Sequence, residues 1–231
     1  MSSPAIDAGD NASPQLPAAD LDGNARIANG RVDMGTYEYS NHPPVADAGP
    51  DQTVTADARC LTAVVLNGSG SDVDGDPLTF TWTGPFGTVS GASVSVSLPA
   101  GTHVITLTVQ DGRGGSSSDT LVVTVVDATP PAIQWAAATP SVLSPANHQL
   151  VAVTVGVSAS DGCGSVGCRI TSVTSNEPLA DGDYVITGDL TLKLRAERSN
   201  KGTGRIYTIT ILCTDAAGNG ATKTVTVAVP R

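Results

Sequence analysis

Residues 104–127 read VITLTVQDGRGGSSSDTLVVTVVD, and residues 206–229 read IYTITILCTDAAGNGATKTVTVAV. Each is an alternating run rich in β-branched residues, a turn opened by Asp, and a second alternating run. Alternation with period two places apolar side chains on one face of a strand and polar ones on the other. The Asp-Gly and Gly-Asn-Gly turns supply positions that tolerate positive φ, so each stretch is predicted to be a β-hairpin. One hairpin lies near the middle of the chain and one at its end, which predicts two tandem β-sandwich units with almost no helix.

The composition bounds what such units can do. The chain has 231 residues, with 12 Lys and Arg against 22 Asp and Glu, for a net charge of −10. This balance disfavours nucleic acid as a partner. It fits a soluble extracellular protein or one that binds cations. Aromatics make up only 3%, so the core is expected to be built from Val, Ile and Leu around a few large anchors such as Trp82, Phe80 and Tyr207. Lysine occurs only at 193, 201 and 223, which rules out a Lys–Asn or Lys–Asp crosslink inside 43–127. No apolar run is long enough for a membrane span. The first residues, MSSPAIDAGDNASP, lack a charged and then apolar leader, so the export signal is expected to lie outside this stretch.

The segment 1–41 is rich in Asp, Asn, Ala, Pro and Gly, and is too poor in apolar runs to fold alone. Its phrases SPAIDAGDNA (3–12) and DLDGNARIANGRVDMGTYEY (20–39) resemble the closing segment of bacterial right-handed parallel β-helix proteins. The match is carried by Ser3-Pro4, Ile6-Asp7-Ala8-Gly9, Asp20, Asp22-Gly23, Arg26, Val32-Asp33, Gly35 and Glu38-Tyr39, with Thr36 in place of the usual Ala. This resemblance implies an extended or loosely ordered remnant that can donate a strand to a sheet edge. Asn41-His42-Pro43-Pro44 then reads as a linker.

Residues 43–127 resemble a PKD-type (polycystic kidney disease) domain through PPVADAGPDQTV, VVLNGSGSDVDGDPLTFTWTGP and LPAGTHVITLTVQDGRGGSS. The usual Trp-Asp-Phe-Gly-Asp-Gly turn is replaced by Trp82-Thr83-Gly84-Pro85-Phe86-Gly87. Ala128-Thr129-Pro130-Pro131 is a second linker. Residues 132–231 resemble a bacterial Ig-like domain, and DGCGSVGC (161–168) is similar to an element of hyaline-repeat modules. The expected fold class is thus all-β: two tandem Ig-like β-sandwiches, 43–127 and 132–231, behind a short irregular N-terminal segment, 1–41.

Four cysteines occur, at 60, 163, 168 and 213, without a Cys-x-x-Cys pair, and His42, His103 and His148 are scattered. Zinc is therefore disfavoured. In an Ig-like strand order the strand starting at Arg169 runs opposite to 206–213. Cys168, or as an alternative Cys163, is then expected to bridge to Cys213. Cys60 is expected to be unpaired. A disulfide implies an oxidising compartment.

Asp72-Val73-Asp74-Gly75-Asp76 is the candidate metal site. Alternate Asp side chains converge in an oxygen-rich loop of the kind that holds calcium, and Gly permits the turn. It is not an EF-hand, because Pro77 and Thr83 stand where Gly and Glu are required. The ordinary alternative is a turn capped by Asp side chains. Asp20 and Asp22 form a weaker version. Asp111 and Asp215 are expected to cap their hairpin turns. Arg195, Arg198, Lys201 and Arg205 form a basic cluster, read as a charged loop tip or a polyanion contact. Glu177, Asp181 and Asp183 read as a solvated loop. Trp82 and Trp135 raise sugar stacking, against the prior claim of the core. No Gly-x-Ser-x-Gly, phosphate loop or catalytic triad is recognisable, so the chain is not expected to be an enzyme.

The sequence therefore predicts a non-catalytic spacer and interaction module of a secreted bacterial surface protein, serving adhesion or domain presentation. Two alternatives are an accessory carbohydrate-binding region of a polysaccharide-degrading enzyme and a subunit of an extracellular filament that associates by strand donation. The partner would be a protein or polysaccharide surface, with calcium as cofactor, at an extracellular or cell-surface location.

Overall fold

The computed structural model describes residue 5 and residues 7–21, 23–27, 30–35, 41–200 and 202–231. Every regular element among them is a strand. Nine belong to the sequence up to 127: β1 (Val45–Asp47), β2 (Gln52–Thr55), β3 (Leu61–Asn67), β4 (Ser69–Ser71), β5 (Thr79–Gly84), β6 (Gly87–Ser90), β7 (Ser93–Pro99), β8 (Gly101–Gln110) and β9 (Ser116–Val126). Seven follow: β10 (Ala132–Thr139), β11 (Leu150–Ser160), β12 (Gly167–Ser175), β13 (Tyr184–Gly188), β14 (Thr191–Arg195), β15 (Gly204–Thr214) and β16 (Gly220–Pro230). The predicted hairpins are β8–β9 and β15–β16. The second runs in unbroken register from Gly204↔Pro230 to Thr214↔Gly220.

The strands up to β9 form a five-stranded sheet, β2-β9-β8-β5-β6, and two short pairs, β1-β4 and β3-β7. β2 lies parallel to β9 and the other described pairings are antiparallel. The later strands form two sheets, β10-β11-β14-β13 and β12-β15-β16. This is the expected all-β architecture of tandem sandwiches with Greek-key-like crossovers.

Compactness divides the chain differently from the linkers. One unit comprises Met1–Asp51, Val65–Val96 and His103–Val122, and the other comprises Gln52–Val64, Ser97–Thr102 and Val123–Arg231. In the first, Leu66, Trp82, Ile105, Leu107, Val109 and Leu121 are buried. Trp82 is the single large anchor, and its indole N–H donates to the Gly91 carbonyl at 3.0 Å. Gly68 lies beneath it. A Cβ there would come within 2.7 Å of the Trp82 ring and 2.6 Å of Leu107. The second unit packs Val153, Val155, Leu192, Leu194, Tyr207, Ile209, Ile211, Val227 and Val229 into one cluster. At roughly 25 cal/mol per Å² of apolar surface, each such aliphatic side chain contributes about 1.5–3 kcal/mol.

The described residues of 1–41 are drawn together by their own hydrogen bonds. Gly9 N donates to the Val32 carbonyl at 2.7 Å and Met34 N to that of Ala5 at 2.8 Å. Asn11 accepts from Val32 N and donates to the Gly30 carbonyl. Val32 is buried by this closure. Ser3, Pro4, Ile6, Asp22, Thr36, Glu38 and Tyr39 of the β-helix resemblance lie outside the described residues.

Cys60 is not unpaired, contrary to the sequence expectation. All four cysteines are bonded, Cys60 to Cys163 and Cys168 to Cys213. The Cys60 turn belongs to the same compact unit as Cys163, so the two meet despite a sequence separation of 103.

Candidate functional site

Among the described residues, Asp side chains build most of the polar clusters. At Asp72–Asp76, the Asp72 Oδ1 accepts the Asp74 N–H at 2.8 Å and the Asp76 N–H at 3.3 Å. Gly75 takes φ of +74° at the bend, a conformation that favours glycine. Asp74 receives the His42 N–H at 2.7 Å, and its other oxygen lies 3.1 Å from His42 Nδ1. Asp76 is ion-paired to Arg113 Nε at 2.8 Å. The backbone N–H of His42, aided by its ring, holds the Asp74 carboxyl below the usual carboxylate range.

One oxygen from each of Asp72, Asp74 and Asp76 lies within 4.8 Å of the others. Oxygen ligands about 2.3–2.6 Å from a shared calcium ion fall within such a spacing. Asp72 Oδ2 is buried without a hydrogen-bond partner. The donor set therefore fits a hard divalent cation. Arg113 and His42 are the groups it would compete with.

The hairpin tips follow the expected Asp-capped pattern. Asp111 Oδ1 accepts the N–H groups of Arg113 and Gly115, and Asp215 Oδ1 accepts that of Asn219 at 2.8 Å. Asn41 also donates to Asp111 at 2.7 Å, which ties the Asn41–Pro44 segment to this tip. That bond is the main cause holding the Asp111 carboxyl low.

Arg195 and Arg205 of the basic cluster are turned into the fold. Arg205 is only 6% exposed. Its guanidinium meets Asp183 Oδ2 at 2.8 Å, Tyr207 Oη at 3.1 Å, Glu177 Oε2 at 3.3 Å and the Pro178 carbonyl at 3.3 Å. Arg195 shares Asp183 at 3.2 Å and donates to the His148 and Gly182 carbonyls. Arg198 donates to the Pro230 carbonyl. Lys201 lies outside the described residues. The reading of Arg195 and Arg205 as a polyanion contact is therefore corrected: their charges are consumed inside the fold. The solvated-loop reading of Glu177 and Asp183 is corrected with it, since Asp183 is buried. Burial pushes the Asp183 carboxyl up, but the Ala180 N–H and the two guanidinium groups overcome it and leave it low. Burial likewise raises the Tyr207 hydroxyl, with Arg205 opposing.

The two disulfides sit on prepared turns. Asp57 Oδ1 accepts the Arg59 and Leu61 N–H groups around Cys60, whose φ is +64°. Asp161 Oδ1 accepts the Cys163 N–H at 2.7 Å. Gly162 lies against the Ala58 carbonyl so closely that a Cβ would meet its oxygen at 2.1 Å. Cys168 and Cys213 face each other directly in the β12–β15 register, with Cα atoms 4.0 Å apart. Asp127, Asp161 and Cys163 also cluster, but the Cys163 sulfur is covalently engaged and is no thiolate ligand.

Of the two tryptophans, Trp82 is fully buried and Trp135 is 55% exposed. The Trp135 ring lies over Gly156, where a Cβ would approach it to 2.8 Å.

Residues 41–124 match a family described as Bacterial Ig domain. The chain is 35% identical over 119 residues to the Dyslexia-associated protein KIAA0319-like protein of Mus musculus, in a match covering 48% of this chain and 11% of that protein. It therefore spans about a ninth of that relative's length. Among solved structures, human Protocadherin-24 EC1-2 is similar at 18% identity and TM-score 0.39, with 82% of this chain and 98% of that one covered. Drosophila N-cadherin EC1-4 is similar at 11% identity and TM-score 0.45, covering 81% and 49%. Sidekick-1 immunoglobulin domains 1-4 give 10% identity and TM-score 0.45, covering 85% and 52%.

Proposed function

We propose that this chain is a non-catalytic spacer and interaction module of a secreted bacterial surface protein, serving adhesion or domain presentation. The observation that carries this reading is the cysteine chemistry: four cysteines, all in disulfides, bracing an all-β scaffold. Such bridges persist in oxidising, extracellular compartments. The match to a bacterial Ig family over 41–124 supports the same reading, and the PKD-type phrases of 43–127 refine it. Among the described residues no helix is long and apolar enough to cross a membrane.

Calcium at Asp72, Asp74 and Asp76 belongs to the proposal as a brace for the loop between β4 and β5. The three carboxylates and the orphaned Asp72 oxygen support it.

The second reading is a carbohydrate-binding accessory region, favoured by the exposed Trp135 ring on its glycine bed. A binding screen against polysaccharides, glycans and bacterial surface proteins, with millimolar calcium and with chelator, tests both. Retention of a ligand without change to it supports the module. Loss of a polysaccharide signal in Trp135→Ala favours the second reading. Release of shorter fragments from any screened polysaccharide overturns the non-catalytic proposal.

A further inference from the structure

The four cysteines set a covalent path that differs from the order of the chain. Consider tension applied on the N-terminal side of Cys60 and the C-terminal side of Cys213. The load reaches Cys60 and crosses its disulfide to Cys163. It then runs along five peptide bonds to Cys168 and crosses the second disulfide to Cys213. Residues 61–162 and 169–212 lie in closed loops beside this path. The first loop holds β3 to β11, and the second holds β13, β14 and most of β12 and β15. No force along the chain can extend them while the bridges stand.

The anchor points are stiff. Cys60 sits in a turn fixed by Asp57, with its own N–H donating to the Asp57 carbonyl at 2.9 Å and its carbonyl accepting from Ala100 N at 3.1 Å. Cys163 sits in a turn fixed by Asp161. The Gly162 backbone passes where no side chain fits, against Ala58. The second bridge joins directly opposed residues of neighbouring strands, so it adds no slack. Cys163 and Cys168 are close enough in sequence that the two bridges act in series.

We propose that the paired disulfides make this chain a tension-transmitting element, in which load is shunted through Cys60–Cys163 and Cys168–Cys213 past most of the folded strands. Among the described strands, β1, β2, β16, the start of β12 and the end of β15 stand in the path of the force, together with the rest of the chain before Cys60 and the 163–168 segment. The proposal goes beyond the spacer reading and needs no particular ligand, so failure to find a partner leaves it standing.

Single-molecule stretching of the full chain, held at both ends under non-reducing conditions, tests it. Relative to wild type, Cys60→Ser with Cys163→Ser is expected to lengthen the fully unfolded chain. A sequence separation of 103 at roughly 3.3–3.6 Å per residue gives about 340–370 Å. Cys168→Ser with Cys213→Ser is expected to add about 150–160 Å, from a separation of 45. Equal contour lengths for wild type and the Cys60/Cys163 variant overturn the proposal. Should that variant fail to fold, non-reducing peptide mapping of wild type decides: linked Cys60 and Cys163 peptides uphold the shunt, and unlinked ones overturn it.

Discussion

The acidic loop Asp72–Asp76 and the Arg205–Asp183 network use the same chemical groups to opposite ends. In the loop, carboxylates outnumber cations, and Asp74 and Asp76 are 14% and 7% exposed. Arg113 and His42, the partners of Asp76 and Asp74, are themselves partly or largely exposed. In the network, Asp183 and Glu177 face Arg205 with all three side chains at or below 10% exposure, and of their four carboxylate oxygens all but Glu177 Oε1 accept a hydrogen bond. Charge near solvent can be tuned by salt, pH or metal. Charge inside the fold is bound to it, because removing either partner leaves the other desolvated. The first region is the proposed cation site, and the second is a fastening.

The largest expected effect breaks the fastening. Asp183→Ala leaves the Arg205 guanidinium buried without its main counter-charge and is expected to cost about 3–5 kcal/mol in urea unfolding. Adding Arg205→Met to it should recover much of that loss, since a buried pair is often replaceable by apolar packing. A single variant as stable as wild type would place Arg205 in water.

Acid acts next. The Asp183 carboxyl is held low in the folded state, so its contribution is present above the ordinary carboxylate pKa. It is lost as pH falls through the lowered folded value. Wild type should lose stability as pH drops below about 4. Asp183→Asn, with nothing to titrate there, should show a shallower decline over the same interval. Identical slopes would assign the acid sensitivity to other groups.

The loop should answer to metal. Millimolar calcium is expected to raise the melting temperature relative to chelator, as binding to the folded state alone requires. Asp72→Ala should remove the difference. Coincident melting curves for wild type in calcium and in chelator leave Asp72–Asp76 as a turn capped by Asp72. The smallest effect is at Arg113→Gln. Arg113 is 26% exposed and Asp76 7%, and Gln keeps a hydrogen-bond donor for Asp76, so this variant is expected to lose about 1 kcal/mol, the upper end for an exposed pair, and to show a tighter calcium response. A large loss of stability would move Arg113 into the class of Arg205.

This contrast was only partly legible in the chain. Alternation located both hairpins, and the Asp111 and Asp215 turns followed from Asp before Gly-rich tips. The same alternation also carried the signal for the buried network. Arg205 is in phase with Tyr207, Ile209, Ile211 and Cys213, the inward positions of β15. As part of the tip AERSNKGTGR, it reads as facing solvent. Reading the phase back by one turn of the pleat would have buried it and demanded a carboxylate. Asp183 stayed hidden because its flanking Gly182 and Pro178 describe a loop, and loop composition says nothing about what the loop folds against. Linker position places Cys60 in another unit and leaves it single, whereas the even number of cysteines argues that none is left over. The residues that converge at Asp72–Asp76 are adjacent in sequence, but His42 and Arg113 come from distant segments, and only the fold brings them there.

Strand β13 has a consequence for the behaviour of the protein at high concentration. It ends its sheet, and Tyr184, Val185 and Ile186 are each between 37% and 44% exposed. The edge is uncharged over its whole length, and a row of unpaired peptide groups is a template for another strand. What holds copies apart is the net charge of −10. At 0.1 M salt that repulsion reaches only about 10 Å. Edge-to-edge association is therefore expected to grow as salt and protein concentration rise together, which light scattering across a salt series would read.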